Sequence, residues 1–251
     1  MNHEKFEYLA EKTQIECLKK QLQHFREKLS FYALEQLAHE KLAVCNLRLP
    51  ALIPLPSELI EINLAESLQG QDLFKDQPQE TRGGLCLHTH FELFDLATLQ
   101  TLEKKYPQTF IWLQCPLIDE YQILLAKAAG FHALTLSPSL LGQRRTLLYY
   151  QKIMLWGLYP IVQANSMHEL KTAHELSAQI ILWSATSESE TQAFREYLQT
   201  TPRSETKYII AAESQNTIDP SEFKTGHFYS HHLIEIKKIS RLFSRDTEVS
   251  V

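Results

Sequence analysis

TFIWLQCPLIDEYQILLAKAAGFHALTLS, residues 109–137, is the stretch on which the fold turns. Its two ends, TFIWLQ (109–114) and HALTLS (132–137), are short and apolar, of strand length. Between them Asp119 precedes an apolar run that ends at Gly130. An acidic residue opening such a run and a glycine closing it are the start and stop signals of a helix. Strand, helix and strand in that order make a parallel unit, because parallel neighbours need a crossover of a dozen or more residues.

The same alternation continues outward. Further strand candidates are ELIEIN (58–63), GLCLHT (84–89), YPIVQA (159–164), QIILWS (179–184), KYIIAA (207–212) and GHFYSH (226–231). Ser166 with Glu169, and Ser187 with Glu190, have capping-box spacing, and Gly157 sits where a helix should end before a strand. Eight strands with intervening helices predict a closed (β/α)8 barrel ahead of an open doubly wound sheet. Only about 20 residues separate the first two strands, and they include the polar run KDQPQE (75–80), so the first barrel helix is expected to be degraded. Ahead of the barrel, Ile15, Leu18, Leu22, Phe25 and Leu29 form a helical seam, and a second helical stretch covers about 31–45. Pro50, Pro54 and Pro56 end that pattern. We therefore expect an N-terminal helical extension (1–50) packed on a barrel (51–251). The other reading of the seam, a coiled-coil arm, has too few heptads behind it.

Composition narrows the function classes. The 251 residues are 44% hydrophobic and 22% charged, with net charge -5, an ordinary globular balance without the basic excess of a nucleic-acid binder. No apolar run approaches the ~20 residues that span a bilayer. Cys17, Cys45, Cys86 and Cys115 form no CxxC pair, and the N-terminus carries no apolar signal core. The expectation is a cytoplasmic protein with reduced thiols and with neither nucleic-acid nor membrane partners. Average usage would supply roughly 18 glycines, and the chain has 7. Neither GxGxxG nor GxxxxGK[ST] occurs, so no nucleotide cofactor is expected.

In 113–136, Ile118, Asp119, Tyr121, Gln122, Ile123, Ala126, Lys127, Ala128, Gly130, Ala133 and Leu134 match one family pattern. It runs RKDF, two apolar residues, D-x-YQI, then A-[RK]-A-x-G-A-D-A. The segment resembles indole-3-glycerol phosphate synthase, a TIM-barrel enzyme of tryptophan biosynthesis. ELIEINLAES resembles that family's first-strand motif, MHELKTAHELSA the helix after its fifth strand, and AAESQ its seventh-strand SESG. The resemblance also implies that the N-terminal helices fold over the barrel mouth.

The family's ring closure needs an ammonium as general acid, carboxylates to hold it and take protons, and a phosphate site. Glu61 aligns with the first-strand catalytic glutamate, Glu213 with the seventh-strand one, and Ser214 is retained. The rest departs. Asn63 and Gln114 stand at the two lysine positions, Gln163 at the fifth-strand glutamate, and Ser184 (or Ala185) at the sixth-strand asparagine. An amide cannot donate a full proton near neutral pH, so loss of each lysine should cost ~10²–10⁴ in rate. If the third and fifth strand ends face each other, Gln114 and Gln163 neutralise both halves of a Lys–Glu pair, which costs less than removing one. The phosphate turns also change: Gln215 and the Ser230-His231-His232 run replace glycine-bearing SESG and GES. A small phosphorylated or anionic ligand would then depend on side chains, including Arg144 and Arg145 after the fourth strand, which otherwise read as a solvated helix start.

The resemblance thus implies a lyase family member with an incomplete catalytic set, a pseudoenzyme that keeps a cleft. Three other readings compete. The first is an active synthase with a displaced lysine, for which Lys127 is poorly placed because it lies on a helix. The second is a metal-dependent hydrolase binding metal through His88 and His90. The third is a non-catalytic interaction protein using exposed helices. Cys115 lacks an assigned base and reads as a small buried residue. The C-terminal IEIKKISRLFSR reads as a last barrel helix with a basic outer face, ahead of a membrane-surface helix.

Overall fold

A computed structural model describes residues 3–44, 58–63, 84–89, 96–105, 110–185, 187–200, 206–210 and 227–233. The expected first barrel helix (64–83) and the basic helix after 233 lie outside them. Eight strands form in chain order: β1 (Glu58–Asn63), β2 (Gly84–His88), β3 (Phe110–Gln114), β4 (Ala133–Leu136), β5 (Tyr159–Ala164), β6 (Ile180–Trp183), β7 (Lys207–Ile210) and β8 (His227–Leu233). Each pairs in parallel with the next, and β8 pairs in parallel with β1, so the sheet closes. The described helices are α1 (His3–Lys28), α2 (Phe31–Val44), α3 (Leu96–Lys105), α4 (Glu120–Ala128), α5 (Pro138–Leu141), α6 (Gln143–Leu155), α7 (Met167–Glu175) and α8 (Glu188–Thr200).

Period-two alternation divides β2 to β7 between two cores. Cys86, Phe110, Trp112, Ala133, Ile161, Ile180, Leu182 and Ile209 fill the barrel interior. Inside it the Trp112 indole donates to Thr135 Oγ1 at 2.8 Å, so the ring is buried with its N–H satisfied. Leu87, Ile111, Leu113, Leu134, Val162, Ile181 and Trp183 face the helices instead. Leu18, Leu22, Leu34 and Ala38 of the first two helices belong to that same outer core. Leu18 and Leu22 of the helical seam are thus buried in the same cluster as the outer faces of the strands.

The corner between β3 and α4 holds this arrangement together. Asp119 caps α4, its carboxylate accepting the Tyr121 N–H at 2.9 Å. Gln122 completes the capping box: its Oε1 accepts from the Ile118 and Asp119 N–H groups, and its Nε2 donates to the Pro116 carbonyl at 2.9 Å. Tyr121 is fully buried and donates its hydroxyl to the Leu29 carbonyl at 2.9 Å, at the turn between α1 and α2. Arg26 pairs with Asp119 and lies 5.6 Å over the Tyr121 ring. Gly130 (φ +87°) and Gly157 (φ +67°) end helices just before β4 and β5, in the left-handed region where a Cβ is strained.

At the opposite end of β3, His132 Nδ1 accepts the Ile111 N–H at 3.1 Å. Burial lowers the His132 pKa from its ordinary 6.5 and the Lys127 charge lowers it further, while Glu103 opposes both. The native state thus prefers neutral imidazole, which is the form that can accept that bond.

Two outcomes follow from these contacts. Tyr121→Phe should lower unfolding stability by about 1 kcal/mol in urea, because one buried hydroxyl bond goes and the ring stays. An unchanged urea midpoint would remove that bond from the account. For His132, a depressed native pKa means that its contribution is full above pH 6.5 and is lost as pH falls through the lower native value. His132→Asn keeps an acceptor without a titration. Its stability should therefore fall less steeply than wild type below pH 6.5, whereas parallel curves would contradict the assignment.

Candidate functional site

Chemistry in a barrel of this kind sits at the C-terminal ends of the strands, where side chains of the interior set emerge above the packed floor. Register places Asn63, His88 and Gln114 in one row across β1, β2 and β3, with Glu61 level with Cys86 below it. Gln114 is partly exposed, and its Oε1 accepts from the Cys86 thiol at 3.4 Å. His88 is partly exposed beside it.

Gln163, at the end of β5, turns the other way. Its Nε2 donates to Ser184 Oγ at 3.0 Å and to Asn165 Oδ1 at 3.1 Å, and the Ser184 hydroxyl donates to Asn165 Oδ1. No hydrogen bond joins Gln114 to Gln163. Each amide instead bonds to a neighbouring strand end, Gln114 to Cys86 and Gln163 to Ser184. Asn165 is a residue the sequence reading missed. Its backbone N–H donates to Glu169 Oε2 at 2.6 Å, and Glu169 is buried with its own N–H capped by Ser166. The Ser166–Glu169 spacing was the available signal. Glu190 does not close a box on Ser187: its Oε2 accepts the Met167 N–H at 2.8 Å, at the start of α7.

Other expected site residues are placed by backbone alone. β8 runs on to Leu233, so Ser230, His231 and His232 lie within the last residues of its ladder, His231 level with Leu59 and His232 with Ile60. His90, Glu213, Ser214 and Gln215 lie outside the described residues. Arg144 and Arg145 are exposed at the start of α6, whose N-cap Gly142 makes no side-chain cap. Lys127 is buried at the far end of the barrel, its ammonium 3.7 Å from where a Cβ on Gly157 would stand, before β5 begins. Among the described residues no three His, Cys, Asp or Glu side chains gather as a metal site. None of the described helices is long and apolar enough to cross a membrane.

No family model matches the chain. A segment of 90 residues is 32% identical to the indole-3-glycerol phosphate synthase of Streptococcus sanguinis (strain SK36), covering 36% of this chain and 31% of that protein. A segment of 65 residues is 37% identical to that of Streptococcus pneumoniae (strain Hungary19A-6), covering 26% of each. The chain thus matches less than a third of the length of either relative. Among solved structures, the N-acetylneuraminic acid (sialic acid) synthetase from Leptospira borgpetersenii serovar Hardjo-bovis superposes with TM-score 0.52 at 9% identity, over 78% of this chain and 87% of that one. The chain is a TIM barrel.

In this barrel the residues that carry the family resemblance perform structural work. Asp119, Tyr121 and Gln122 close a corner and dock the N-terminal helices, and Lys127 packs far from the mouth. Cys115 is buried, and burial pushes its thiol up to about 12, so it is a protonated space-filler and not a nucleophile. Exposed Cys17 should alkylate with iodoacetamide at pH 8 well before Cys86 or Cys115 in the folded protein, as read by peptide mass spectrometry. Rapid labelling of Cys115 would contradict that reading.

Proposed function

We propose that the chain is a divergent indole-3-glycerol-phosphate-synthase-like barrel that has little or none of the parent activity and keeps a small-molecule cleft at its mouth. The observation that carries this reading is the state of Gln114 and Gln163. They stand where the family pattern has a lysine and a glutamate, and each is bonded to an uncharged neighbour. The retained acidic positions, Glu61 and Glu213 with Ser214, can take protons but cannot supply the ammonium that the ring closure requires. A displaced lysine would have to come from elsewhere, and Lys127 is at the wrong end. Competing readings as a metal-dependent hydrolase through His88 and His90, or as a non-catalytic interaction protein, gain no specific support from the described contacts.

The test is turnover of the carboxyphenylamino-deoxyribulose phosphate substrate. Wild type should run slower than family members by ~10²–10⁴ for each missing lysine. Gln114→Lys combined with Asn63→Lys and Gln163→Glu should raise the rate by at least one such factor. Wild-type turnover at family rates would overturn the proposal.

A further inference from the structure

Among the described residues six large hydrophobic side chains are exposed, and four of them stand on α6: Leu147, Leu148, Met154 and Leu155. Leu155 is 76% exposed. At about 100° per residue these four and Gln151 share an arc of about 120°. Thr146, Tyr149, Tyr150 and Ile153 fill the opposite arc and are buried. A helix that is apolar on both sides is normally covered on both. The next two helices follow the ordinary pattern. Exposed positions are His168, Lys171 and Glu175 on α7, and polar residues such as Gln192 and Glu196 on α8.

We propose that the outer face of α6 joins two copies of this chain as an antiparallel, two-fold helix pair. This is independent of what the barrel mouth binds or does.

The spacing along the helix selects a second copy as the occupant. Leu147 and Leu148 lie four and three residues before Gln151, and Met154 and Leu155 lie three and four after it. The apolar pattern therefore reads the same from either end. A two-fold interface demands that property, because residue i meets residue j while j meets i. With the axis through Gln151, Leu147 meets the partner's Leu155 and Leu148 meets the partner's Met154, each contact made twice. On the axis two Gln151 amides meet, and each can both donate and accept. A partner of another kind needs no such symmetry.

Charge selects the direction. Arg144 extends the same face toward the start of the helix, and both it and Arg145 are exposed. A parallel pair would bring the arginines of the two copies together. The antiparallel pair holds the two Arg144 positions about 21 Å apart along the axis, well beyond the ~8 Å screening length of physiological salt. It also sets each Arg144 beside the C-terminal end of the partner's helix, where a cation is favoured. Lys152 is drawn to the flank by its ion pair with Glu120, and Gln143 donates to Glu175 of α7 at 3.4 Å. Polar groups thus border the stripe, the usual anatomy of an interface with an apolar centre. A standard interface takes about 800 Å² from each partner, so α6 supplies its centre and Lys171 and Glu175 of α7 lie on its rim.

The experiment is light scattering of the full chain across about 1 to 200 µM, a range that brackets a weak self-association. Reductant keeps exposed Cys17 from linking copies. The particle mass should rise with concentration from 29.1 kDa toward twice that value. Leu147→Lys and Leu155→Glu each place a charge against a leucine of the partner and should weaken association at least tenfold. Both positions are exposed, so the urea midpoints of the dilute variants should match wild type. Mixing the two variants one to one should restore the pair. The introduced lysine of one then faces the introduced glutamate of the other, and the second Leu147–Leu155 contact stays intact. A single-copy mass across the whole range would overturn the proposal and leave the face to another occupant. Association that neither variant weakens would place the interface elsewhere and overturn it too. Folded variants that lose association and do not regain it on mixing would contradict the antiparallel pairing.

Discussion

The β3–α4 corner is the constraint on which the rest depends. One glutamine side chain there satisfies two backbone N–H groups and one carbonyl, so the chain can leave a barrel strand and enter a helix with few unpaired groups. The same corner presents Asp119 to Arg26 and the Tyr121 hydroxyl to the Leu29 carbonyl, tying the α1–α2 turn to the barrel wall. A buried tyrosine that spends its hydroxyl on another element fixes both position and angle, which a purely apolar contact would not. The N-terminal helices then cover outer-core residues that would otherwise face water.

This corner explains why part of the sequence resembles an enzyme family independently of the chemistry at the mouth. The matched residues of 113–136 are those that build the corner, cap the helix and turn the chain at Gly130. They are constrained by folding, whatever reaction the barrel supports. The residues that differ, Asn63, Gln114, Gln163 and Ser184, stand at strand ends, where a substitution alters the mouth without disturbing the floor beneath it. Amides at these positions carry no buried charge to balance, and each finds an uncharged partner on a neighbouring strand end, Gln114 the Cys86 thiol and Gln163 the Ser184 hydroxyl.

Much of the fold was legible in the sequence, because its signals are local. Strand alternation, Asp119, Gly130 and Gly157 each describe a few consecutive residues, and YPIVQA predicted β5 at its observed bounds, Tyr159–Ala164. The helical seam of Leu18 and Leu22 was visible for the same reason, and both residues are buried in the outer core. The site was less legible, since its contacts join residues far apart in the chain. Gln163 bonds Ser184, 21 residues on, a contact that no local pattern announces. Asn165 carried no motif and entered only through its neighbours. Glu190 had the spacing of a cap for its own helix, yet it serves α7, because the adjacent helix start lies nearer in space than in sequence. His231 and His232, read as the end of the last strand, fall within the final residues of β8, which the sequence reading ended at 231 and the structure carries to Leu233.

The central claim is that the mouth of this barrel is uncharged on the side where an ammonium would be needed. An electron-density map of the mouth, from crystals soaked in phosphate, tests it most directly. The account predicts the Gln163 amide against Ser184 and Asn165, the Gln114 carbonyl oxygen against the Cys86 thiol, and no phosphate on any of them. A lysine ammonium seated within hydrogen-bond reach of Glu61 would contradict it.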